Sequence, residues 1–312
     1  MPSFSMNLKN ELASVNSSDD LNLGLLKGLL QVNGSINLSS TGLFLEFKTK
    51  NELVAQKLID LIKQYYKVDS VLIKTKEVRL NKDDIYLVRL FQNAYYVIRD
   101  LKIMQAKDDT SYSLKKDLIS EDMKTGYLRG AFLSAGSIND PKTMIYHLEI
   151  QTFNTIEAVN LRDLMNTYNL SAKISKNRRG FVVYVKSAEK IANFIKIVGG
   201  TDSLFYFENI RIEKDLTNSI NRVMNCEIAN QKKTTEASMR QIEEIKMVES
   251  FYQTNLPKSI QEAITLRKEN PEDSLSELSQ KAEKRIGKKI SKSALNHRFR
   301  AMHDLFLSLP KK

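Results

Sequence analysis

The sequence predicts an α+β fold: a pseudo-two-fold duplicated domain followed by an all-α helix-turn-helix domain. Three observations predict it: an internal repeat, helix-like and strand-like runs in the same order in both copies, and a series of capped helices near the C-terminus. We place the duplicated domain at 1–214, with repeats at about 18–103 and 120–198. A helical connector is expected at 215–253 and the helix-turn-helix domain at 254–312.

The internal repeat consists of two similar segments whose starts lie 102 residues apart. Leu26–Ile36 reads LKGLLQVNGSI, and Leu128–Ile138 reads LRGAFLSAGSI. Acidic and capping residues precede both segments, at Ser17–Asp20 and Ser120–Asp122, and indicate where each repeated helix begins. The pattern that follows predicts helix, strand, helix, two strands and a helix in both halves.

The repeated helix carries small residues, which predict that its two copies pack closely at a pseudo-two-fold axis. Positions without large side chains allow one helix backbone to approach another. The positions concerned are Gly28, Gly130, Ala131, Ser134 and Ala135. We also expect Gly34 and Gly136 to end the two helices in the left-handed conformation, which glycine adopts without strain.

The charge balance predicts a polyanionic partner, either nucleic acid or an anionic membrane surface. The chain has 48 Lys or Arg against 37 Asp or Glu, a net charge of +11. Residues 281–312 hold ten of the basic residues and only two acids, so most of the excess lies in a tenth of the chain. The single cysteine and the lack of any signal-peptide or transmembrane run favour a cytoplasmic protein. Of the two polyanions we expect DNA rather than a membrane as the partner, which would make the protein nucleoid-associated.

The C-terminal region predicts a three-helix bundle whose last two helices form the helix-turn-helix. Ile260, Ala263 and Ile264 share one face of the first helix. Ser274 and Ser291 are expected to cap the second and third helices. The residues expected on the inward faces of these two helices are Leu275, Leu278, Ala282, Leu295, Met302 and Phe306. A glycine-containing turn at 285–289 separates these two helices, as in a helix-turn-helix.

A further amphipathic helix is expected within the connector. Met239, Ile242, Ile245 and Val248 recur every three residues, which is a helical spacing. Thr234 or Thr235 is expected to cap its start.

The final helix is the predicted DNA-contact element. Its N-terminal half is expected to enter the major groove, where Asn reads adenine and Arg reads guanine, while lysines near the helix start contact phosphates. The candidate contacts are Lys288, Lys289, Ser291, Lys292, Ser293, Asn296, His297, Arg298 and Arg300. Secondary candidates are the loop residues Lys176, Arg178 and Arg179, together with Lys74–Lys82, although solvated hairpin tips explain these equally well.

The repeat resembles the LAGLIDADG homing-endonuclease fold, whose central helices end in a motif with an acid at its eighth position. In that family the two acids lie together and bind divalent metal, as hard cations require. Here the eighth position holds Asn33 and Ala135, and the sixth holds Gln31 and Leu133. The resemblance therefore implies a degenerate scaffold with no catalytic residues, and we expect neither a metal nor a cofactor.

The chain as a whole resembles the WhiA family of bacterial regulators, in which such a degenerate domain is fused to a C-terminal helix-turn-helix. The segments that carry the resemblance are Ser3–Ser5 with Lys9, Glu11 and Leu12, Leu128–Pro141, Tyr146–Ile150, Asn221–Arg222 with Asn225–Glu227 and Ala229–Asn230, Ile290–Ser293 and Asn296–Arg298. The resemblance implies double-stranded DNA as the partner and a role in transcription regulation, cell division and chromosome segregation, with sporulation in spore-forming relatives.

Two other functions stay open at this point. A protein-interaction scaffold in cell division would use the repeat for a protein partner, and an active metal-dependent endonuclease would need acids that Asn33 and Ala135 do not supply. The three histidines do not cluster with one another or with cysteine in the sequence, which gives a zinc site little support. Cys226 is expected to be a small buried hydrophobic residue.

Overall fold

The computed structural model describes residues 2–40, 42–76, 84–103, 114–253 and 255–310. For residues 115 and 116 it describes the backbone alone. Contacts divide the chain into two compact units, Met1–Lys214 and Asp215–Lys312, and each has its own hydrophobic core. Within the described ranges, no helix combines the length and the apolar character needed to cross a membrane.

After a leading helix, α1 (Phe4–Ser14), the first unit contains the same series of elements twice. The first copy consists of α2 (Asp19–Asn33), β1 (Gly34–Ser39), β2 (Gly42–Thr49), α3 (Glu52–Tyr66), β3 (Val71–Lys76), β4 (Asp84–Leu90) and α4 (Ala94–Asp100). A short helix, α5 (Leu114–Asp117), comes before the second copy. The second copy consists of α6 (Glu121–Ala135), β5 (Gly136–Ile138), β6 (Leu148–Thr152), α7 (Thr155–Thr167), β7 (Lys173–Asn177), β8 (Gly180–Val185) and α8 (Ala188–Val198).

Each copy forms a four-stranded antiparallel sheet, and the two sheets have the same topology. The strand orders are β1-β2-β4-β3 and β5-β6-β8-β7. Alternate residues such as Leu45, Phe47, Ile150 and Val183 point into the core, so one face of each sheet is covered by helices. The shared strand order confirms the predicted duplication.

Each copy has one strand more than predicted, because the repeated helix continues directly into an edge strand. β1 has the polar sequence GSINLS, and its Leu38 is 83% exposed. Only Ile36 and Leu38 of its six residues are apolar, and this alternation is too short to distinguish the strand from a loop that follows a helix. It is formed by its hairpin partner β2 through the pairing from Gly34–Phe47 to Ser39–Gly42.

The glycines that end the repeated helix are not left-handed, so that prediction is wrong. Gly34 has φ −73° and ψ 137°, and Gly136 has φ −84° and ψ 153°, both extended. A Cβ at Gly34 would lie 2.4 Å from the Leu30 carbonyl oxygen, and one at Gly136 would lie 2.2 Å from the Phe132 ring. Glycine is required here because the chain turns from helix to strand against its own last turn.

The close approach of the two repeated helices is confirmed. A Cβ on Gly28 would lie 2.3 Å from the Tyr127 carbonyl oxygen, and one on Gly130 would lie 2.2 Å from that of Leu25. Gly24 and Gly126, which the repeat alignment does not single out, meet the opposite backbone at 2.1 Å. Four glycines therefore line the crossing of α2 and α6.

The second unit is a bundle of four helices rather than three. It consists of α10 (Lys258–Glu269), α11 (Leu275–Ile286), α12 (Lys292–Leu307) and the last turns of a long helix, α9 (Thr201–Tyr252). Ile245 and Val248 of α9 are buried in the bundle core, whereas Met239 is 62% exposed. The predicted cap at Thr234 or Thr235 is wrong, because the helix runs through both residues without interruption.

Candidate nucleic-acid interface

The turn between α11 and α12 is shaped by side-chain caps and a left-handed glycine. Ser274 and Glu277 form a capping box at the start of α11. The helix ends at Gly287, which has φ 71° and therefore favours glycine. The Ser279 hydroxyl then donates to the Ile290 carbonyl oxygen at 2.6 Å, which fixes the far end of the turn.

The last helix begins at Ser291, as predicted. The Ser291 Oγ accepts a hydrogen bond from the Ala294 backbone N–H at 3.2 Å, which satisfies one of the free amides of the first turn. Leu295, Phe299 and Met302 form its buried stripe, and Phe306 is only partly buried. Phe299 was missing from the predicted stripe, although its spacing of four from Leu295 indicates the same face.

Most of the predicted contact residues lie together on the opposite, solvent-facing side of the turn and of α12. Lys288, Lys289, Ser291, Lys292, Ser293, His297 and Arg300 are exposed, and Asn296 is half-buried. The sequence from 288 to 303 contains no acid. We call the four cations Lys288, Lys289, Lys292 and Arg300 the basic face.

Ion pairs divide the basic residues of this unit into two groups. Lys281 pairs with Asp273 at 2.6 Å, and Arg285 pairs with Glu269 at 2.6 Å and lowers the pKa of that carboxyl. Among the described residues, no carboxylate lies within ion-pair distance of any member of the basic face. These four cations are therefore available to an external anion.

The prediction that Arg298 is exposed is wrong. Its Nη1 donates to Glu262 Oε2 at 2.8 Å, and its side chain is 23% exposed. Because Glu262 belongs to α10, this ion pair fixes the orientation of α12 within the bundle. Sequence reasoning missed it, since the two residues lie 36 positions apart.

Two further polar residues position the same helix and carried no signal in the sequence. The buried Arg267 donates to Gln241 Oε1 at 3.0 Å and to the Asp273 carbonyl oxygen at 2.5 Å, and its guanidinium lies 5.5 Å from the Phe299 ring centre. Burial lowers the pKa of Arg267. His303 Nδ1 lies 2.8 Å from the buried carboxylate of Glu244 on α9.

In the first unit, the positions of the degenerate motif make structural contacts. Asn33 donates to the Lys48 carbonyl oxygen at 3.0 Å, and the buried Gln31 donates to that of Leu101 at 3.0 Å. Leu133 is fully buried, and Ala135 packs against the core. In the part of the chain that the structure describes, no group of three or more His, Cys, Asp or Glu side chains could hold a metal ion.

The secondary candidates lie at a hairpin tip. Lys176, near the end of β7, and Arg178 and Arg179, in the turn between β7 and β8, are all exposed. In the other copy, Lys74 pairs with Asp84 at 2.9 Å, and residues 77–82 of the predicted basic loop lie outside the described residues. Cys226 is exposed, so the prediction that it is buried is wrong.

Comparison with protein families gives three matches that follow one another along the chain. Residues 21–104 match the WhiA N-terminal LAGLIDADG-like domain, residues 124–217 the WhiA LAGLIDADG-like domain, and residues 220–306 the WhiA C-terminal HTH domain. The third match starts within α9, upstream of the three short helices.

Relatives and solved structures agree with these matches. The probable cell division protein WhiA of Bacillus licheniformis is 37% identical over 305 residues, which covers 97% of this chain and 96% of that protein. Its counterpart in Limosilactobacillus reuteri is 39% identical over 305 residues, with 96% of each chain covered. Full-length WhiA from Thermatoga maritima covers all of both chains at a TM-score of 0.59 and 22% identity, which confirms the predicted fold.

Proposed function

The chain belongs to the WhiA family, and from this premise we propose that it is a non-catalytic DNA-binding regulator of transcription that serves cell division and chromosome segregation. Curated relatives at 37% and 39% identity carry the name probable cell division protein, which supports the process. Double-stranded DNA in the nucleoid is the proposed partner.

The observation that carries the proposal is the solvent-facing side of α12 and of the turn before it. Four cations without carboxylate partners surround polar side chains that can read base edges. Cations at a helix N-terminus contact phosphates, while Asn can bond adenine through two hydrogen bonds. In this proposal Lys288, Lys289 and Ser291 contact the backbone, and Lys292, Ser293, Asn296, His297 and Arg300 face the groove.

Arg298 has a different role in the proposal. Because its guanidinium is held by Glu262 at 2.8 Å, it is a positioning residue that sets the orientation of α12 within the bundle. A charged group that already has a partly buried ion-pair partner must give up that interaction before it can read a base.

The proposal of a non-catalytic protein rests on the first unit. Phosphodiester cleavage by metal ions needs oxygen ligands that hold a divalent cation at the reacting phosphate. Asn33 offers one amide oxygen, and its Nδ2 is already bound to the Lys48 carbonyl. Ala135 offers no ligand. Lys176, Arg178 and Arg179 are proposed only as additional phosphate contacts.

We propose that the DNA-binding unit includes the end of α9 and that the duplicated domain ends near 214. Ile245 and Val248 belong to the bundle core, and Gln241 and Glu244 bind Arg267 and His303. The connector predicted at 215–253 therefore contributes its last turns to the bundle.

The experiment compares two triple variants of the full-length chain on duplex DNA over a salt series. Lys288→Ala/Lys289→Ala/Lys292→Ala should weaken binding to every sequence and reduce the steepness of the log–log salt dependence by about 2, since Lys288 and Lys289 contact phosphates and each phosphate contact contributes about 0.9. Lys196→Ala/Lys246→Ala/Lys258→Ala removes the same charge from exposed lysines elsewhere.

The two variants separate a specific surface from general charge attraction. If the control triple weakens binding as much as the first, the basic face has no special role and the proposal fails. Asn296→Ala tests base reading within the same experiment, because it should weaken binding to a selected site and leave binding to a scrambled duplex unchanged.

A further inference from the structure

A stretch of the long helix upstream of the bundle has no covering partner in its own unit. Every residue from 215 to 233 is exposed, although all of them belong to α9. The helix becomes buried only further along, at Ser238, Glu244 and Ile245. Nineteen residues of helix therefore present both faces to solvent.

One face of this stretch consists of amides and basic groups. Positions 218, 221, 222, 225, 229 and 232 share a side of an α-helix, because residues three, four and seven apart are neighbours. We call this set the amide face, and its residues are Asn218, Asn221, Arg222, Asn225, Ala229 and Lys232. Within the described residues, no other side chain binds the three asparagine amides or the Arg222 guanidinium.

The charges on the stretch favour an anionic ligand for this face. Between 216 and 235 the basic residues are Arg222, Lys232 and Lys233, and the only acid is Glu227. Glu227 lies nine residues after Asn218, which places it half a turn round the helix on the opposite side. Asp215 and Glu236 flank the amide face at its two ends, and Lys232 lies 3.9 Å from Glu236. Between these ends the face presents amide donors and the unpaired Arg222 guanidinium without a carboxylate.

The amides weaken the helix that carries them. Asn lowers helix stability by up to ~0.7 kcal/mol per residue relative to Ala, and a helix without tertiary packing has little to offset this loss. If these positions only had to keep the helix soluble, Lys and Glu would serve equally well and are better helix formers than Asn. The presence of Asn at 218, 221 and 225 is therefore explained by recognition better than by folding.

We propose that the amide face is a second DNA-contact surface, which reads adenine-containing base pairs in the major groove of duplex DNA. An α-helix fits this groove, and Asn can bond adenine N6 and N7 through both amide atoms. Arg222 and Lys232 then contact guanine or phosphate. The inference rests on the proposed function, since it requires that the chain binds a duplex at all.

Because the amide face lies far from the bundle along α9, it should touch a part of the DNA duplex that the bundle does not reach. Arg222 precedes the core residue Ile245 by 23 positions, which is about 34 Å along a helix and close to one turn of B-DNA. Protection of a selected duplex by the full-length chain should therefore extend beyond the half-site read by α12.

The test uses the full-length chain and a binding site selected from a randomised duplex library. Asn221→Ala/Asn225→Ala removes two amides without changing charge, and Ala favours the helix. We expect binding to the selected site to weaken by roughly tenfold or more, while the affinity for scrambled duplex stays the same. The protected length should also shorten in a hydroxyl-radical footprint.

A matched control removes two amides from the other side of the same stretch. Asn230→Ala/Gln231→Ala should change binding by less than about twofold, since neither residue shares the amide face. The inference is overturned if Asn221→Ala/Asn225→Ala behaves like this control in both affinity and footprint. If instead the Lys288/Lys289/Lys292 variant retains full affinity, it is the proposed function that fails, so the two failures are distinguishable.

Discussion

At the scale of single residues, polar side chains from distant parts of the chain set the geometry of both units. The Glu11 carboxylate on α1 accepts hydrogen bonds from the Asp202 N–H at 2.8 Å, the Ser203 N–H at 3.0 Å and the Ser203 hydroxyl at 2.6 Å. It therefore caps the start of α9, where free amides and the helix dipole favour a negative charge. In the second unit, the ion pair between Arg298 and Glu262 likewise joins two helices that are distant in sequence.

Lys9, on the same helix as Glu11, gives a prediction about pH. It lies 5.6 Å from the Phe132 ring centre, and burial lowers its pKa to about 8. The fold therefore disfavours the charged form. Below pH 8 the folded chain carries this cost in full, and between pH 8 and the ordinary lysine pKa of about 10.4 the cost fades as the folded state loses its proton first.

Lys9→Met should accordingly raise the free energy of unfolding below pH 8 by about 1–2 kcal/mol, allowing for the part of the side chain that water still reaches. The gain should shrink as the pH rises from 8 to 10, as measured by urea denaturation. Lys173→Met, at an exposed lysine, is the control. A gain that stays constant over this range would show that Lys9 keeps an ordinary pKa.

At the scale of elements, the features that could be predicted from sequence are those that depend on residues a few positions apart. The caps at Ser274 and Ser291, the inward positions Leu278 and Leu295, and the small residues of the repeated helix all follow from neighbours within a few positions. The buried Arg267 could not be predicted, because its partner Gln241 lies 26 positions away and is brought close only by the fold. The edge strand β1 was missed for a different reason, since only two of its six residues are apolar and it directly follows a helix.

At the crossing of α2 and α6, a side chain at Gly126 would have two opposing effects on stability. Gly126→Ala gains about 1 kcal/mol of helix propensity, but its Cβ would lie 2.1 Å from the Leu21 carbonyl oxygen. Backbone atoms cannot rotate away, so the helices must separate, and overpacking costs about 1–3 kcal/mol or more. We expect net destabilisation and a lower thermal midpoint. Thr125→Ala, one position earlier, should change stability by less than ~0.5 kcal/mol, and equal midpoints for both variants would show that the crossing can relax.

At the scale of the whole molecule, the duplicated domain and the bundle use the same long helix in different ways. Residues 202 and 203 of α9 are capped by Glu11 within the first unit, and residues 238–252 complete the core of the second. The sequence pattern indicated an amphipathic helix at 239–248 but not its continuity with 201. Apolar residues do recur at helical spacing between Leu216 and Ile228, but they are exposed, and the amide-rich segment around them is typical of a polar connector.

The sharing of α9 predicts where the DNA-binding unit can be cut. A fragment of residues 254–312 lacks Ile245 and Val248, and full burial of each such side chain contributes about 1.5–3 kcal/mol. That loss is comparable to the whole stability of a domain of this size, and it also leaves Arg267 and His303 without Gln241 and Glu244. We therefore expect 254–312 to lack a cooperative thermal transition by circular dichroism and 234–312 to show one.

Ile245→Ala should lower the midpoint of the longer fragment, whereas Met239→Ala, at an exposed position, should not. A shorter fragment that melts cooperatively at the same midpoint would show that α9 only adjoins the bundle and contributes nothing to its stability.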